Sequence, residues 1–232
     1  VFYNSDDEAK WIANEINSLK KTNIKPRNIA ILYRNNYISR IFEDTLINNG
    51  ITYTVYGGVS FYKRKEIKDI LSYIMVILDT TKNYYLKRII NVPRRGIGLL
   101  TIEKLEKISE KNNISLFDSI NHFEQKGEIK NKVIKFKKLI EDLRNNINDH
   151  ETIVDFLKNL IEKTNYIESL KNDKDPYSDD RIQNINELKP IFMRADKLYE
   201  GSIENKLQKL IDQISHSTTL YNERKQENSI IL

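Results

Sequence analysis

Gly57-Gly58-Val59-Ser60-Phe61-Tyr62-Lys63-Arg64-Lys65-Glu66-Ile67-Lys68-Asp69 is where the rhythm of this chain changes. Upstream, strand and helix patterns alternate. Ser5-Asp6-Asp7-Glu8 reads as a capping box opening a helix whose apolar face is Ala9, Ile12, Ala13, Ile16 and Leu19, and Phe2-Tyr3 reads as the end of a strand. A buried strand is predicted at Asn28 to Tyr33, a helix at Ser39 to Asn48 closed by Gly50, and a strand at Thr52 to Tyr56. That order is the pattern of a layered α/β unit with a parallel sheet.

Downstream of Lys65 the periodicity is helical throughout. Helices are predicted over Lys65–Leu78, Tyr84–Ile90, Leu99–Lys111, Ser115–Phe123, Lys130–Asn146, Ile153–Thr164, Asp180–Lys197 and Ile203–Ser215, with a loop over Lys171–Ser178. Ser229 to Leu232 turns apolar and β-prone again, as if returning to the first sheet. The expected fold is mainly α with an α/β N-terminal part. Its boundaries are 1–64 for the α/β part, 65–228 for a helical insertion, and 229–232 for the returning strand. The chain opens on Val1 and closes on an apolar run, so a piece of a larger protein is expected.

The strongest candidate site is Ile89-Ile90-Asn91-Val92-Pro93-Arg94-Arg95-Gly96-Ile97-Gly98, which runs into the helix at Leu99. Glycines flanking one apolar residue let backbone approach a ligand closely, and the following helix offers free N–H groups and its positive dipole end. Arg94 and Arg95 add charge. The combination suits the phosphates of a nucleic acid without reading any base, although glycines in a tight helix-helix turn would look the same.

Composition narrows the classes. The 232 residues are 39% hydrophobic and 31% charged, ordinary for a folded protein. A net charge of +5 mildly favours a polyanionic partner. Basic residues gather between Lys82 and Arg144, but the run Lys130 to Lys138 by itself reads as a solvated helix face. There is no cysteine, which excludes disulfides and thiolate metal sites. No apolar run approaches a membrane span and no signal-peptide pattern is present, so a cytoplasmic location is expected. His122, His150 and His216 have no ligand spacing, and Asp173 to Asp180 lacks the glycine and closing glutamate of a calcium loop; no metal site is expected. Tyr84-Tyr85 and Trp11 are expected in the core.

Tyr33-Arg34-Asn35-Asn36-Tyr37-Ile38-Ser39-Arg40, then Gly57 to Asp69, then Ile90 to Gly98 closely resemble successive sequence blocks of the UvrD/PcrA/Rep helicases of superfamily one, in the right order and with matching gaps. The resemblance is strong from about Asn28 to Leu105 and weaker beyond, where Arg181 to Glu187 still looks like a later helix of the family. It implies that residues 1–64 belong to the second RecA-like motor domain and 65–228 to the accessory (2B) subdomain inserted in it, with a helix-hairpin-helix-like Gly-Ile-Gly motif. It further implies that Arg34 and Asn36 contact a single strand, and that Arg94, Arg95, Gly96, Ile97 and Gly98 contact duplex DNA. Gly57, Gly58, Arg64, Glu66 and Asp69 would form the hinge region between motor and insertion. Tyr37-Ile38 departs from the family's usual Ala-Gln.

The same resemblance implies a parent that is an ATP-dependent 3′-5′ DNA helicase using ATP and Mg, acting in repair or replication alongside other proteins of those processes. None of the seven glycines precedes Lys-Ser or Lys-Thr, so this stretch is expected to lack the phosphate-cradling loop, to bind no cofactor of its own and to be inactive alone. The alternatives are a stand-alone DNA-binding regulator and a protein-interaction module. If sheet neighbours are missing, Ile29–Leu32 and Ile230–Leu232 would offer unpaired edges that favour self-association.

Overall fold

The computed structural model describes residues 2–124, 127–173, 175–223 and 229–232, without the side chains of residues 216–223. In chain order the elements are helix α1 (Ser5–Lys21), a 3-10 turn at Pro26–Asn28, a second at Asn36–Ile38, α2 (Ser39–Asn48), strand β1 (Tyr53–Thr54) and a third 3-10 turn at Phe61–Lys63. There follow α3 (Lys65–Leu78), α4 (Asn83–Ile89), α5 (Leu99–Asn112), α6 (Glu128–Asn145), α7 (Ile153–Thr164), α8 (Tyr166–Lys171), α9 (Ser178–Asn186), α10 (Leu188–Leu198), α11 (Ile203–Glu223) and strand β2 (Ile230–Ile231). The chain is mostly helical with a small parallel sheet, and it divides into two compact units. The first holds the chain up to Ile67 together with Asp212 onwards, and the second holds Lys68–Ile211.

In the first unit the sheet is shorter than the sequence suggests. β1 pairs in parallel with β2, Tyr53 opposite Ile230, while the predicted strand at Asn28–Tyr33 is reduced to a single bridge from Ala30 to Ile231. The Ile231 N–H donates to Ile29 O at 3.0 Å on one side, and the Ile230 and Leu232 N–H groups donate to Thr52 O and Thr54 O on the other. The last strand is therefore central, not an edge, which corrects the expectation that Ile230–Leu232 lies unpaired. Beneath it, Ala9, Ala13 and Ile16 of α1 and Phe42 and Leu46 of α2 pack with Ile51, Tyr53, Ile230 and Leu232. Burial of this apolar surface, at ~25 cal/mol per Å², is what holds so small a sheet together.

Local signals set the helix ends. Asn4, not Ser5, caps α1: its Oδ1 accepts the Asp7 N–H at 2.8 Å. Tyr3 sits in a bend and not in a strand. Trp11 is 51% and Tyr84 72% exposed, so neither belongs to the core as expected.

The second unit is helical as predicted, with α6 packing on α7, α7 on α8 and α10, and α8 and α10 on α9. Thr152 caps α7 by accepting the Asp155 N–H at 3.1 Å, and α5 and α7 both end on an asparagine in the left-handed region, Asn113 and Asn165. The predicted Ser115–Phe123 helix is only a 3-10 turn over Asp118–His122, held by Ser115, whose Oγ accepts the Asp118 N–H. The single helix expected over Asp180–Lys197 breaks after Asn186 into α9 and α10, and α8 forms where no element was expected.

Candidate nucleic-acid interface

The turn between α4 and α5 is organised from within. Asn91 Oδ1 accepts two backbone N–H groups, Arg95 at 2.8 Å and Ile97 at 3.1 Å, closing the chain around one side chain. The Val92–Pro93 peptide is cis, and Gly96 has a φ of +74°, where an L side chain is strained. Ile97 is fully buried and pins the turn to the core. Gly98 is the residue before α5, and its carbonyl accepts the Thr101 and Ile102 N–H groups. Among the described residues, the N–H groups of Gly96, Gly98, Leu99 and Leu100 have no acceptor in the chain. They form the concentration of free donors expected of a helix start.

The two arginines have different surroundings. Arg94 is exposed. Arg95 turns inward, its Nη1 donating to Val92 O at 2.9 Å, Ile89 O at 3.1 Å and Pro93 O at 3.2 Å. Its Nη2 donates to the Tyr73 hydroxyl at 2.5 Å, and the guanidinium lies 5.2 Å from the centre of the Phe136 ring. Tyr73 in turn donates to Val92 O, and burial pushes its phenol up to about 12. Arg95 thus ties the turn together by gathering the carbonyls of the preceding residues. Half-buried Lys132 of α6 is a second cation at the turn: its Nζ lies 3.1 Å from where a Cβ on Gly96 would sit, and it also pairs with Glu128 at 2.7 Å. Only the clustering of basic residues between Lys82 and Arg144 could have pointed to it.

In the first unit, Arg34 and Asn36 are both exposed, just past the segment that bridges to β2. Gly57 has a φ of +71°, and a Cβ on Gly58 would meet Val55 Cγ1 at 3.3 Å and approach Asn36 Oδ1 at 3.8 Å, so the glycine pair lets this turn close against the Asn36 segment. Arg64 is buried there. Its Nη2 donates to Asn36 O at 2.8 Å and Ser39 Oγ at 2.7 Å, and its Nε donates to Val59 O at 3.1 Å.

Glu43 stands behind it, accepting from Ser39 Oγ at 2.7 Å, Tyr53 Oη at 3.0 Å and the Phe61 N–H at 3.1 Å. Burial pushes the Glu43 carboxyl above its ordinary range, against the pull of these donors and of Arg64. Glu66 is buried. Asp69, in the second unit, is buried too, accepting from the Tyr166 hydroxyl at 2.6 Å with Arg88 Nε at 2.7 Å.

Neither histidine whose side chain is described stands in a metal site. His122 is exposed, and His150 is engaged with Ile147 O and Asn159. The side chain of His216 lies outside the described residues. Asp175 is occupied by the Tyr177 N–H and an ion pair to Arg181 at 2.7 Å. Among the described residues no three His, Asp or Glu side chains converge as metal ligands, and no helix is long and apolar enough to cross a membrane.

A family model described as the UvrD-like helicase C-terminal domain matches residues 1–232. The chain belongs to the UvrD-like helicase C-terminal domain family. It is 35% identical over 212 residues to the ATP-dependent DNA helicase PcrA of Bacillus subtilis (strain 168), which covers 88% of this chain and 28% of that protein. To the PcrA of Staphylococcus aureus (strain Mu50 / ATCC 700699) it is 36% identical over 211 residues, covering 89% of this chain and 28% of the relative. This UvrD-like domain therefore spans about 28% of the length of the curated relatives it matches.

Proposed function

We propose that this UvrD-like domain is the DNA-backbone-gripping part of an ATP-dependent 3′-5′ DNA helicase that works in repair or replication. The observation that carries the reading is the turn before α5, where the N–H groups of Gly96, Gly98, Leu99 and Leu100, without an acceptor among the described residues, stand with exposed Arg94 and half-buried Lys132. Donors and cations of this kind take phosphate oxygens and carry no sequence information. The turn acts as a helix-hairpin-helix-like grip on duplex DNA through the N–H groups of Gly96 and Gly98, with Ile97 supporting from the core. Arg34 and Asn36 contact the backbone of the single strand.

Residues 1–64 are part of the second RecA-like motor domain, 65–228 are its inserted accessory subdomain, and 229–232 begin the strand that returns to the motor domain. Gly57, Gly58, Arg64, Glu66 and Asp69 serve the hinge between them. ATP and Mg belong to the parent. With no Gly-Lys-Ser/Thr in the sequence and no converging carboxylates among the described residues, this chain's residues do not fit those groups, and no nucleotide step is assigned to it.

Fluorescence anisotropy on duplex, single-stranded and 3′-tailed DNA across a salt series tests this. The expected result is duplex binding of roughly 10–100 µM at physiological salt that tightens as salt falls. Arg94→Ala weakens it. No binding to any DNA at low salt would overturn the reading and move the domain's role to protein contacts.

A further inference from the structure

Arg64 is a buried cation with Glu43 Oε1 3.9 Å from its Nη2, and its fork donates to Val59 O, Asn36 O and Ser39 Oγ. A buried charge is costly unless well paired, and apolar residues of similar volume fill such space more cheaply. The targets of its fork explain its presence. One prong reaches Val59 O, five residues before it, and the other reaches Asn36 O, 28 residues before it, so a single planar group joins the Gly57–Arg64 turn to the Asn36 segment. Only the rigid five-donor fork of arginine spans both; a lysine point charge reaches one.

The Asn36–Ile38 turn needs this support. Its own backbone closure is two 3-10 bonds, the Ile38 N–H to Asn35 O at 3.1 Å and the Ser39 N–H to Asn36 O, the second on the same carbonyl that Arg64 holds. Ser39 Oγ accepts from Arg64 and donates to Glu43 Oε1, while Glu43 fixes the Phe61 N–H three residues ahead of Arg64. Asn36, Ser39, Glu43, Phe61 and Arg64 thus form one buried network whose outer face is the exposed pair Arg34 and Asn36.

We propose that Arg64 is a positioning residue for single-strand binding, holding the Asn36 carbonyl so that the side chains of Arg34 and Asn36 stay presented to the strand backbone. This rests on the reading of Arg34 and Asn36 given under Proposed function. Arg64 touches no DNA; it removes conformational freedom that binding would otherwise have to remove.

The test is anisotropy of the whole chain on fluorescein-labelled oligo-dT of roughly ten nucleotides and on blunt duplex, for Arg64→Lys, Arg34→Ala and the double variant. Arg64→Lys is expected to weaken oligo-dT binding about fivefold while duplex affinity stays unchanged, and the double variant to bind little worse than Arg34→Ala alone. Backbone amide exchange over residues 36–39 should quicken in Arg64→Lys. If Arg64→Lys fails to fold, Ser39→Ala, which cuts the bridge between Arg64 and Glu43, should give the same selective loss.

Three results overturn the proposal, and they separate the positioning role from the strand contact. Loss with Arg34→Ala but none with Arg64→Lys or Ser39→Ala leaves the strand contact standing and removes the positioning role, as does simple multiplication of the two effects in the double variant. No loss with Arg34→Ala removes the strand contact itself, and the proposal with it.

Discussion

Arg94→Ala and Arg95→Ala should fail in opposite ways. Arg95 holds three backbone carbonyls and the Tyr73 hydroxyl and lies over the Phe136 ring. A hydrogen bond to a charged group contributes about 1.5–3 kcal/mol net, but the three carbonyls share one nitrogen, so together they count as little more than one bond. Adding the Tyr73 bond and ~0.5–1 kcal/mol for the ring, then discounting for partial exposure, gives a loss of about 3 kcal/mol. For a chain of this size that lowers Tm by about 6–12 °C.

Arg94 is exposed, so its removal should move stability by less than ~0.5 kcal/mol. It should instead reduce the slope of log affinity against log salt by about 0.9, one phosphate contact. Thermal unfolding and salt-series anisotropy on duplex DNA, run on both variants, read the two effects separately. An Arg95→Ala protein that melts like wild type yet loses duplex binding as Arg94→Ala does would refute the reasoning, because Arg95 would then be serving the ligand and not the turn.

Further outcomes follow from the same geometry. Asn91→Ala leaves the Arg95 and Ile97 N–H groups without their shared acceptor and should cost about 1–3 kcal/mol in urea unfolding, with weaker duplex binding as the turn loosens. Gly96→Ala forces a Cβ into a left-handed residue 3.1 Å from Lys132 Nζ and should cost about 1–2 kcal/mol by the same measure. Glu43 takes up its proton more readily folded than unfolded, so the stability this contributes is complete below its ordinary value of 4.5 and is lost as pH rises through the raised folded value. The stability difference between wild type and Glu43→Gln should therefore shift against wild type as pH rises from 4.5 towards neutrality, and a pH-independent difference would show that Glu43 is not shifted in this direction.

The helical half of the fold was legible because its apolar periodicity is strong: the predicted bounds of α3 and α7 coincide with those observed. What failed did so for physical reasons. Asn28–Tyr33 has the composition of a buried strand, but Pro26 starts a 3-10 turn and β2 offers it only one bridge, so it stays extended without becoming a ladder. Asn4 won over Ser5 as the cap because its carboxamide reaches the Asp7 N–H, an outcome no spacing rule decides. Trp11 stands beside Ile12 and Tyr84 near an apolar helix face, which points to the core, but their helices turn both outward. At the candidate site, the sequence displayed the glycines but not Asn91 or Lys132, since an asparagine closing a turn and a lysine one helix away carry no local signature.

The arginines show most clearly what sequence leaves undecided. Each candidate grip contains two of them: Arg34 and Arg64 in the first unit, Arg94 and Arg95 in the second. In each pair one side chain is exposed and the other is turned into the chain, where its fork collects backbone carbonyls of a turn: Asn36 and Val59 for Arg64, and Ile89, Val92 and Pro93 for Arg95. The inward arginine does what a lysine cannot, because one planar group satisfies several acceptors at fixed angles. The outward arginine needs only charge. Lysine in place of Arg34 or Arg94 should therefore keep most DNA affinity, whereas lysine in place of Arg64 or Arg95 should not preserve the turn, although all four exchanges leave the net charge of +5 unchanged.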